Sequence, residues 1–428
     1  MNVVRLSPAS PTADLRALQE VSDFASTDMG WGGGDRWTYR ILSEEQITQE
    51  LHRVSHHGTC GNIDYVTFQP CTSYEARSQD RFVVQHWDLP GGRWTFSGVF
   101  DGHGSHGTVE YVVERLPARV RSTLHTALSS GKASPATIPN LLSEAVMDVD
   151  HAITRDFQRL FPSRREELAR LSDQQIISAM KPRNGTYSQS VLRCMQGSTA
   201  LITLVDPSGS HLWIANLGDF LVSKKPGGGF YARKVTDVHN GGNAQELRRI
   251  MNEHPGEREC IVEDRVLGFL APTRALGDTW MKLPAIYSRR VLMRTNEFWS
   301  HGLSEEHINR LKTPPYLSNV PQVSHYRLRR NSQGDEDVAL LLCSDGLVDL
   351  YEDQDLEEEH YLRQWAAMIG EGINQPPSPP NATRSNIAVH LLRDAIGGDD
   401  LSRASANLTV EMDERWMDDT TILVHKFV

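Results

Sequence analysis

Two runs of strand-forming residues, each followed by a turn and a second such run, restrict this chain to a sheet-rich architecture. Arg81-Phe-Val-Val-Gln85 and Trp94-Thr-Phe-Ser-Gly-Val-Phe100 flank a turn at Pro90-Gly-Gly92, and Ser198–Val205 and His211–Leu217 flank Asp206-Pro-Ser-Gly209. Glycine, proline and aspartate reach turn dihedrals at low cost, so a strand–turn–strand pattern of this kind closes into an antiparallel hairpin. Further strand signals lie at Tyr65–Phe68, at Phe220–Lys224 before the turn Pro226-Gly-Gly-Gly229, at the buried-type run Ala339–Cys343 and at Thr420–Val428. Helical spacing marks Ser43–Val54, Asn243–His254 and Ile387–Ile396, and a longer helix in which Val109, Val113, Leu116, Val120 and Leu124 recur, with a kink expected at Pro117. The opening 50 residues begin loop-like, and Asn374–Pro380 reads as a Pro-rich surface loop. Hairpins in runs with helices grouped between them predict an α+β layered fold with mainly antiparallel sheets.

The chain has 428 residues and a net charge of -11, with no long Lys/Arg block, which disfavours a nucleic-acid partner. An acidic chain still binds phosphate where metal ions supply the local positive charge. The five cysteines, Cys60, Cys71, Cys194, Cys260 and Cys343, stand far apart and point to a reducing compartment. No apolar run reaches membrane-spanning length, so no membrane partner is expected. Met1–Ala25 lacks a secretory apolar core, and Asp14, Glu20 and Asp23 beside Arg5 and Arg16 make it a poor mitochondrial presequence. A cytoplasmic monomer is the expectation, with the mitochondrial matrix as the alternative.

The feature with the most chemistry is Phe100-Asp-Gly-His-Gly104, where a buried strand runs into an acidic residue and two glycines. A strand end fixes a carboxylate, and glycine lets backbone approach a ligand closely. Three more aspartates sit at strand–loop junctions, in Ala215-Asn-Leu-Gly-Asp219, in Cys343-Ser-Asp-Gly-Leu-Val-Asp349 and in Met417-Asp-Asp-Thr-Thr421. Carboxylates converging from sheet edges form an oxygen-ligand site for Mg²⁺ or Mn²⁺. Two such ions bridged by one carboxylate hold a hydroxide in line with phosphorus. His103, beside Asp101, is then placed to act as general acid for the leaving alkoxide. Taken singly, each piece has a plainer reading: an Asp-Gly pair is first a turn, and Asp219 or Asp349 alone serves as a cap. The residues alone leave open an α+β enzyme of the cytosol with or without a metal.

The order of the whole set resembles the metal-dependent protein serine/threonine phosphatases of type 2C. The matching segments are Asp80-Arg81, Val99-Phe-Asp-Gly-His-Gly104, Gly197-Ser-Thr-Ala200, Ala215-Asn-Leu-Gly-Asp219, Thr273-Arg-Ala-Leu-Gly-Asp278, Ser344-Asp-Gly-Leu347 and Asp418-Asp-Thr-Thr421. Within that family the chain is similar to the pyruvate dehydrogenase phosphatase branch, on Asp237-Val-His-Asn240, Glu253-His-Pro255, Asp264-Arg-Val-Leu-Gly268, Pro272-Thr-Arg-Ala275, Pro314-Pro-Tyr-Leu317 and Asp418-Asp-Thr420. The resemblance implies a central β-sandwich of two mainly antiparallel sheets flanked by antiparallel helix pairs, four layers in all. It implies an N-terminal extension over 1–55 and a phosphatase domain over 56–428, with an insert around 286–318. It implies that Asp101 bridges two Mg²⁺ or Mn²⁺ ions, that the Gly102 carbonyl binds the first, that Asp345 and Asp418 bind the second, and that Asp219 helps hold a weaker third. The substrate implied is a phosphoserine or phosphothreonine on a protein.

Departures from the family pattern concern the entry segment. Gln79 stands before Asp80 where many members carry Glu, and Glu75 stands where many carry a phosphate-binding Arg. Arg77 is the expected substitute for that Arg. Ser105 replaces a small residue and Phe220-Leu221 replaces a Ser-Arg pair. Asp278 and Asp419, with Gln79 and Asp80, are expected to support the site structurally. Two competing functions remain: the same chemistry on a small phosphorylated metabolite, with the Ile286–Ser318 insert restricting access, or an inactive member serving as a binding module. Retention of Asp101, Asp345 and Asp418 argues against the second.

Overall fold

The structure is a computed structural model that describes residues 22–31, 34–71, 77–182, 185–215, 219–225, 228–300, 302–330, 334–375 and 386–427. Glu75, Pro226 and most of the Pro-rich loop lie outside these residues, as do the side chains of Asp219, Phe220 and Leu221. The first stretch carries the hairpin β1 (Phe24–Thr27) and β2 (Trp37–Arg40), the helix α1 (Glu44–Val54) and the hairpin β3 (Ser55–Cys60) and β4 (Ile63–Phe68). Next come β5 (Arg81–Leu89), β6 (Gly92–Phe100) and the two-residue β7 (Gly102–His103), then the long helices α2 (Gly107–Ser129) and α3 (Ile138–Gln158). Short helices α4 (Arg165–Arg170), α5 (Asp173–Met180) and α6 (Gln189–Arg193) lead to β8 (Gly197–Ser198), β9 (Leu201–Val205), β10 (His211–Ala215), β11 (Asp219–Lys224) and β12 (Phe230–Lys234). After α7 (Ala244–Glu253) come β13 (Ile261–Val262), β14 (Arg265–Val266) and β15 (Leu276–Gly277), then α8 (Thr279–Lys282), α9 (Ala285–Arg290), α10 (Asn296–Ser300) and α11 (Glu305–Arg310). The chain finishes with β16 (Val323–Arg327), β17 (Glu336–Cys343), α12 (Asp345–Glu352), α13 (Glu358–Asn374), α14 (Ile387–Ala395), α15 (Leu401–Thr409) and β18 (Thr420–Lys426).

The chain divides into two compact units, one of Met1–Ser78 with Asp345–Ile422 and the other of Gln79–Ser344 with Leu423–Val428. In the larger unit a five-stranded antiparallel sheet runs in the order β16-β10-β9-β6-β5. Both sequence-predicted hairpins belong to it: Arg81 pairs with Phe100 through to Leu89 with Gly92, and Leu212 pairs with Val205. Its inner face packs on α2 and α3, with Trp87, Phe96, Phe100, Val109, Val112, Leu116, Leu142, Val146, Ile202 and Trp213 in one buried cluster. Each such side chain stabilises by roughly 1.5–3 kcal/mol relative to exposure. Helix α2 continues through Pro117. A second core collects Phe157, Ile176, Trp280, Phe298, Ile308 and Tyr316, so the 286–318 segment is packed into this unit.

The expected strand Ser198–Val205 divides in the structure. Ser198 pairs with Gly102, while the sheet strand proper starts at Leu201. The break falls at Thr199-Ala200 within a single register: Val99 pairs with Leu201, the Thr199 amide donates to the Asp101 carbonyl at 2.8 Å, and Gly102 pairs with Ser198. The result is a small three-stranded sheet in the order β15-β8-β7, which assembles three of the sequence motifs.

The smaller unit is built from local signals that agree with one another. Ser43 and Gln46 form a reciprocal cap at the start of α1, Glu44 and Glu45 occupy its first turn, and Ile47 and Leu51 face inward. The β1–β2 hairpin and the residues after it are tied to α15 and the chain beyond it: Glu411 donates its amide to the Thr38 carbonyl at 2.8 Å and Leu42 donates its amide to Ser405 Oγ at 3.0 Å. Tyr39, Cys71, Ala406, Val410, Met412 and Trp416 form the core beneath it, with Trp37 and Met417 packed against it. The molecule is thus α+β with antiparallel sheets, as the strand pattern predicts.

Candidate active site

In the larger unit, β6 ends at Phe100 and delivers Asp101 half-buried, with its amide on Thr199 Oγ1 at 3.3 Å. Gly102 follows where nothing larger fits, since a Cβ there would lie 2.8 Å from the Gln79 carbonyl and 2.9 Å from Val109. Gln79 meets this turn with its side chain. In the amide orientation that satisfies both atoms, its nitrogen donates to the Gly102 carbonyl at 2.9 Å and its oxygen accepts from the Ser105 amide at 3.3 Å. Asp80 is buried and accepts from Ser344 Oγ at 2.7 Å, which fixes the residue preceding Asp345.

His103 Nε2 stands 2.6 Å from Asp278 Oδ2. Gly197 makes this contact sterically possible, because a Cβ there would fall 1.9 Å from Asp278 Oδ2 and 2.1 Å from His103 Nε2. Asp278 holds its carboxylate in place from the left-handed region, φ 43 and ψ 39, and its amide donates to the Gln196 carbonyl at 2.8 Å. Burial alone would lower the His103 pKa, but the charge and hydrogen bond of Asp278, with the charge of Asp101, leave it raised. Asp219 opens β11, paired with Leu342 of β17.

In the smaller unit, Asp345 is the first residue of α12 and Asp349 follows one turn later, both exposed. A Cβ on Gly346 would lie 2.3 Å from the Asp419 carbonyl, so the start of α12 rests directly on the Asp418-Asp419 backbone. Asp419 is buried, accepts from Gln69 Nε2 at 3.0 Å and from Arg415 Nη1 at 3.1 Å, and gives its amide to Asp418 Oδ1 at 2.8 Å. Desolvation of its carboxyl, with the charges of Asp345 and Asp418, pushes Asp349 up to about 7, although the side chain as a whole is exposed. Asp418 is raised as well, by desolvation of its carboxyl and the charge of Asp419, against its bond from the Asp419 amide and the charge of Arg415. Arg77 is exposed, and its carbonyl accepts from Arg415 Nη2 at 2.8 Å.

The donor set in this unit is therefore carboxylate oxygen, exposed and mutually repelling. Among the described residues no three His, Cys, Asp or Glu side chains form a group able to hold a metal. Carboxylate oxygen donors are hard ligands of the kind Mg²⁺ and Mn²⁺ take, whereas Zn²⁺ sites draw on His and Cys. Sequence reasoning left Asp349 as a cap, although its i, i+4 spacing from Asp345 was a usable signal. It had no signal for Gln69 or Arg415, which act on Asp419 through folding.

Residues 71–358 match the family model described as Protein phosphatase 2C. The chain belongs to the protein phosphatase 2C family. It is 27% identical over 381 residues to a protein phosphatase 2C homologue of Schizosaccharomyces pombe, covering 83% of this chain and 79% of that one. It is 28% identical over 403 residues to the human mitochondrial phosphatase 2 of pyruvate dehydrogenase (acetyl-transferring), covering 77% and 72%. Phosphatase 1 of the same name from Saccharomyces cerevisiae is 26% identical over 374 residues, covering 78% of this chain and 62% of that one. The chain is accordingly a protein serine/threonine phosphatase of the 2C type, similar to the pyruvate dehydrogenase phosphatases, in a family whose members bind Mg²⁺ or Mn²⁺. Among the described residues no helix is long and apolar enough to cross a membrane.

Proposed function

We propose that this 2C-type phosphatase hydrolyses phosphoserine and phosphothreonine monoesters on proteins, with two Mg²⁺ or Mn²⁺ ions held by Asp101, the Gly102 carbonyl, Asp345 and Asp418, and a weaker third ion near Asp219. The environment of Asp349 carries this reading: desolvation and the charges of Asp345 and Asp418 disfavour its ionised form, and a divalent cation held by Asp345 and Asp418 would relieve that repulsion. When bound, the ions would supply the positive charge that holds the phosphate oxygens and activates water for in-line attack. The chain's own residues do the rest. Asp419, braced by Gln69 and Arg415, aims Asp418 through the amide bond to its Oδ1. Gln79 and the missing side chain at Gly102 fix the carbonyl of the Asp101 turn. Asp278 takes His103 Nε2 and leaves Nδ1 to carry the proton. As the water oxygen bonds to phosphorus and the bond to the serine or threonine oxygen breaks, that proton passes to the departing oxygen. Arg77 is proposed to meet the phosphate, in the place where Glu75 cannot. The human and yeast relatives named mitochondrial support the mitochondrial alternative over the cytoplasmic one.

Asp101→Asn, Asp345→Asn and Asp418→Asn should each lower turnover on a phosphoserine peptide by several orders of magnitude while the protein stays folded, roughly the scale seen when a group essential to the transition state is lost. A chelator should abolish wild-type activity and Mn²⁺ should restore it. Near-normal turnover of Asp101→Asn at saturating Mn²⁺ would refute the assignment.

A further inference from the structure

Asp150 lies on α3, far in sequence from every motif, and its side chain is 1% exposed. A buried carboxylate is costly unless its oxygens are fully bonded. Here Oδ1 accepts from the Gly277 amide at 2.8 Å and from Lys282 Nζ at 2.7 Å, and Oδ2 accepts from Asn319 Nδ2 at 2.8 Å. Lys282, itself buried with 8% of its side chain exposed, donates a second bond to the Ala275 carbonyl at 2.8 Å. The ion pair thus grips both ends of the segment Ala275–Gly277, the lysine by a carbonyl and the aspartate by an amide. The next residue is Asp278, whose carboxylate holds His103 Nε2.

That segment has little other freedom. Gly277 sits at φ +80, and a Cβ on it would lie 2.3 Å from the Gln196 carbonyl. Gly277 also pairs with Gly197 of β8, the residue pressed between His103 and Asp278. A small rotation at Gly277 therefore moves the Asp278 carboxylate relative to the imidazole, with no slack to absorb it. Buried ion pairs seldom add net stability over well-packed apolar residues of the same size, so stability alone gives no reason for this one. Its geometric effect does.

We propose that Asp150 is a positioning residue of the phosphatase reaction, which together with Lys282 sets the Ala275–Asp278 segment so that Asp278 presents the His103 imidazole to the leaving oxygen. This rests on the reading of His103 as the proton donor.

Two double variants isolate the contact, because both remove the same two charges. D150N/K282Q keeps an acceptor for the Gly277 amide and a donor for the Ala275 carbonyl. D150L/K282M keeps the volume and loses both bonds. The readout is kcat and KM on a phosphoserine peptide and on p-nitrophenyl phosphate, whose phenol leaves with little need of a proton. D150L/K282M should lose about tenfold or more in kcat on the peptide, with KM and the aryl ester nearly unchanged, as expected for a misplaced group. D150N/K282Q should keep the wild-type ratio of the two substrates. Should D150L/K282M fail to fold, D150S/K282Q takes its place, since serine ends short of the Gly277 amide. A folded D150L/K282M, or D150S/K282Q, with the wild-type substrate ratio overturns the inference. His103→Gln is run alongside: if it shows no contrast between the substrates, the proton-donor reading itself has failed, whereas contrast in His103→Gln without contrast in the double variant defeats only the role of Asp150.

Discussion

Gly197→Ala is the smallest change that should disable the imidazole while leaving the metal carboxylates alone. The added methyl would begin 1.9 Å from Asp278 Oδ2 and 2.1 Å from His103 Nε2. Ordinary contact begins near 3.4 Å, so each group must retreat by roughly 1.5 Å. Asp278 cannot do so easily, because its amide is fixed to the Gln196 carbonyl and Gly277 before it is crowded by the same carbonyl. The 2.6 Å contact then opens beyond hydrogen-bonding range. Loss of a hydrogen bond between charged groups costs about 1.5–3 kcal/mol. That corresponds to a few degrees in the thermal midpoint for a unit of this size. A displacement of this order at a proton donor costs about 10²-fold in rate. Steady-state kinetics on a phosphoserine peptide should show that loss in kcat with KM little changed, and p-nitrophenyl phosphate should be hydrolysed at close to the wild-type rate. Calorimetry reads the stability change. If Gly197→Ala keeps wild-type kcat on the peptide and melts at the wild-type temperature, the close packing around His103 is not what holds it.

Gln79→Glu should pull in two directions. The carboxylate still accepts from Ser105 but turns lone pairs toward the Gly102 carbonyl, so metal-free protein should lose about 1–3 kcal/mol, while titration calorimetry should show tighter Mn²⁺ binding; an unchanged metal-free melting temperature refutes the contact. Arg415→Ala frees one side of Asp419 and should weaken Mn²⁺ binding by about 10-fold or more, with equal affinity counting against it. Glu246 is buried; desolvation would raise its pKa, but Arg274, Arg249 and Thr273 outweigh it and hold the carboxyl well below the usual range. A depressed carboxylate stabilises above its ordinary pKa near 4.5 and loses that contribution as pH falls below it. Glu246→Gln should therefore cost about 3 kcal/mol at pH 7 and show a shallower loss of stability on acidification; parallel pH curves for the two proteins would exclude it.

Much of this was written in short-range pattern. Strand runs around Pro90-Gly-Gly92 and Asp206-Pro-Ser-Gly209 became the β5–β6 and β9–β10 hairpins, because turn dihedrals and side-chain alternation are properties of neighbouring residues. The helices at Ser43, Asn243 and Ile387 were likewise marked by periodicity, and the structure adds side-chain caps at Ser43, Asn243 and Asn386. The ordered motifs with their aspartates placed the chain in its family without help from the fold. Other features had no local signature. Ser198 looked like the start of a strand, and only the folded chain interrupts that strand at Thr199-Ala200 and sets Ser198 between Gly102 and Leu276 in a separate small sheet. Asp278 read as a supporting residue, and its contact with an imidazole 175 positions away depends on how β7, β8 and β15 align. Asp150, 127 residues from Gly277, is one acidic residue among many until folding buries it against that amide. Sequence periodicity reports which face of an element is buried. Which distant polar groups must then satisfy one another is decided only when those faces meet, since the cost of an unpaired buried charge exists only in the packed interior.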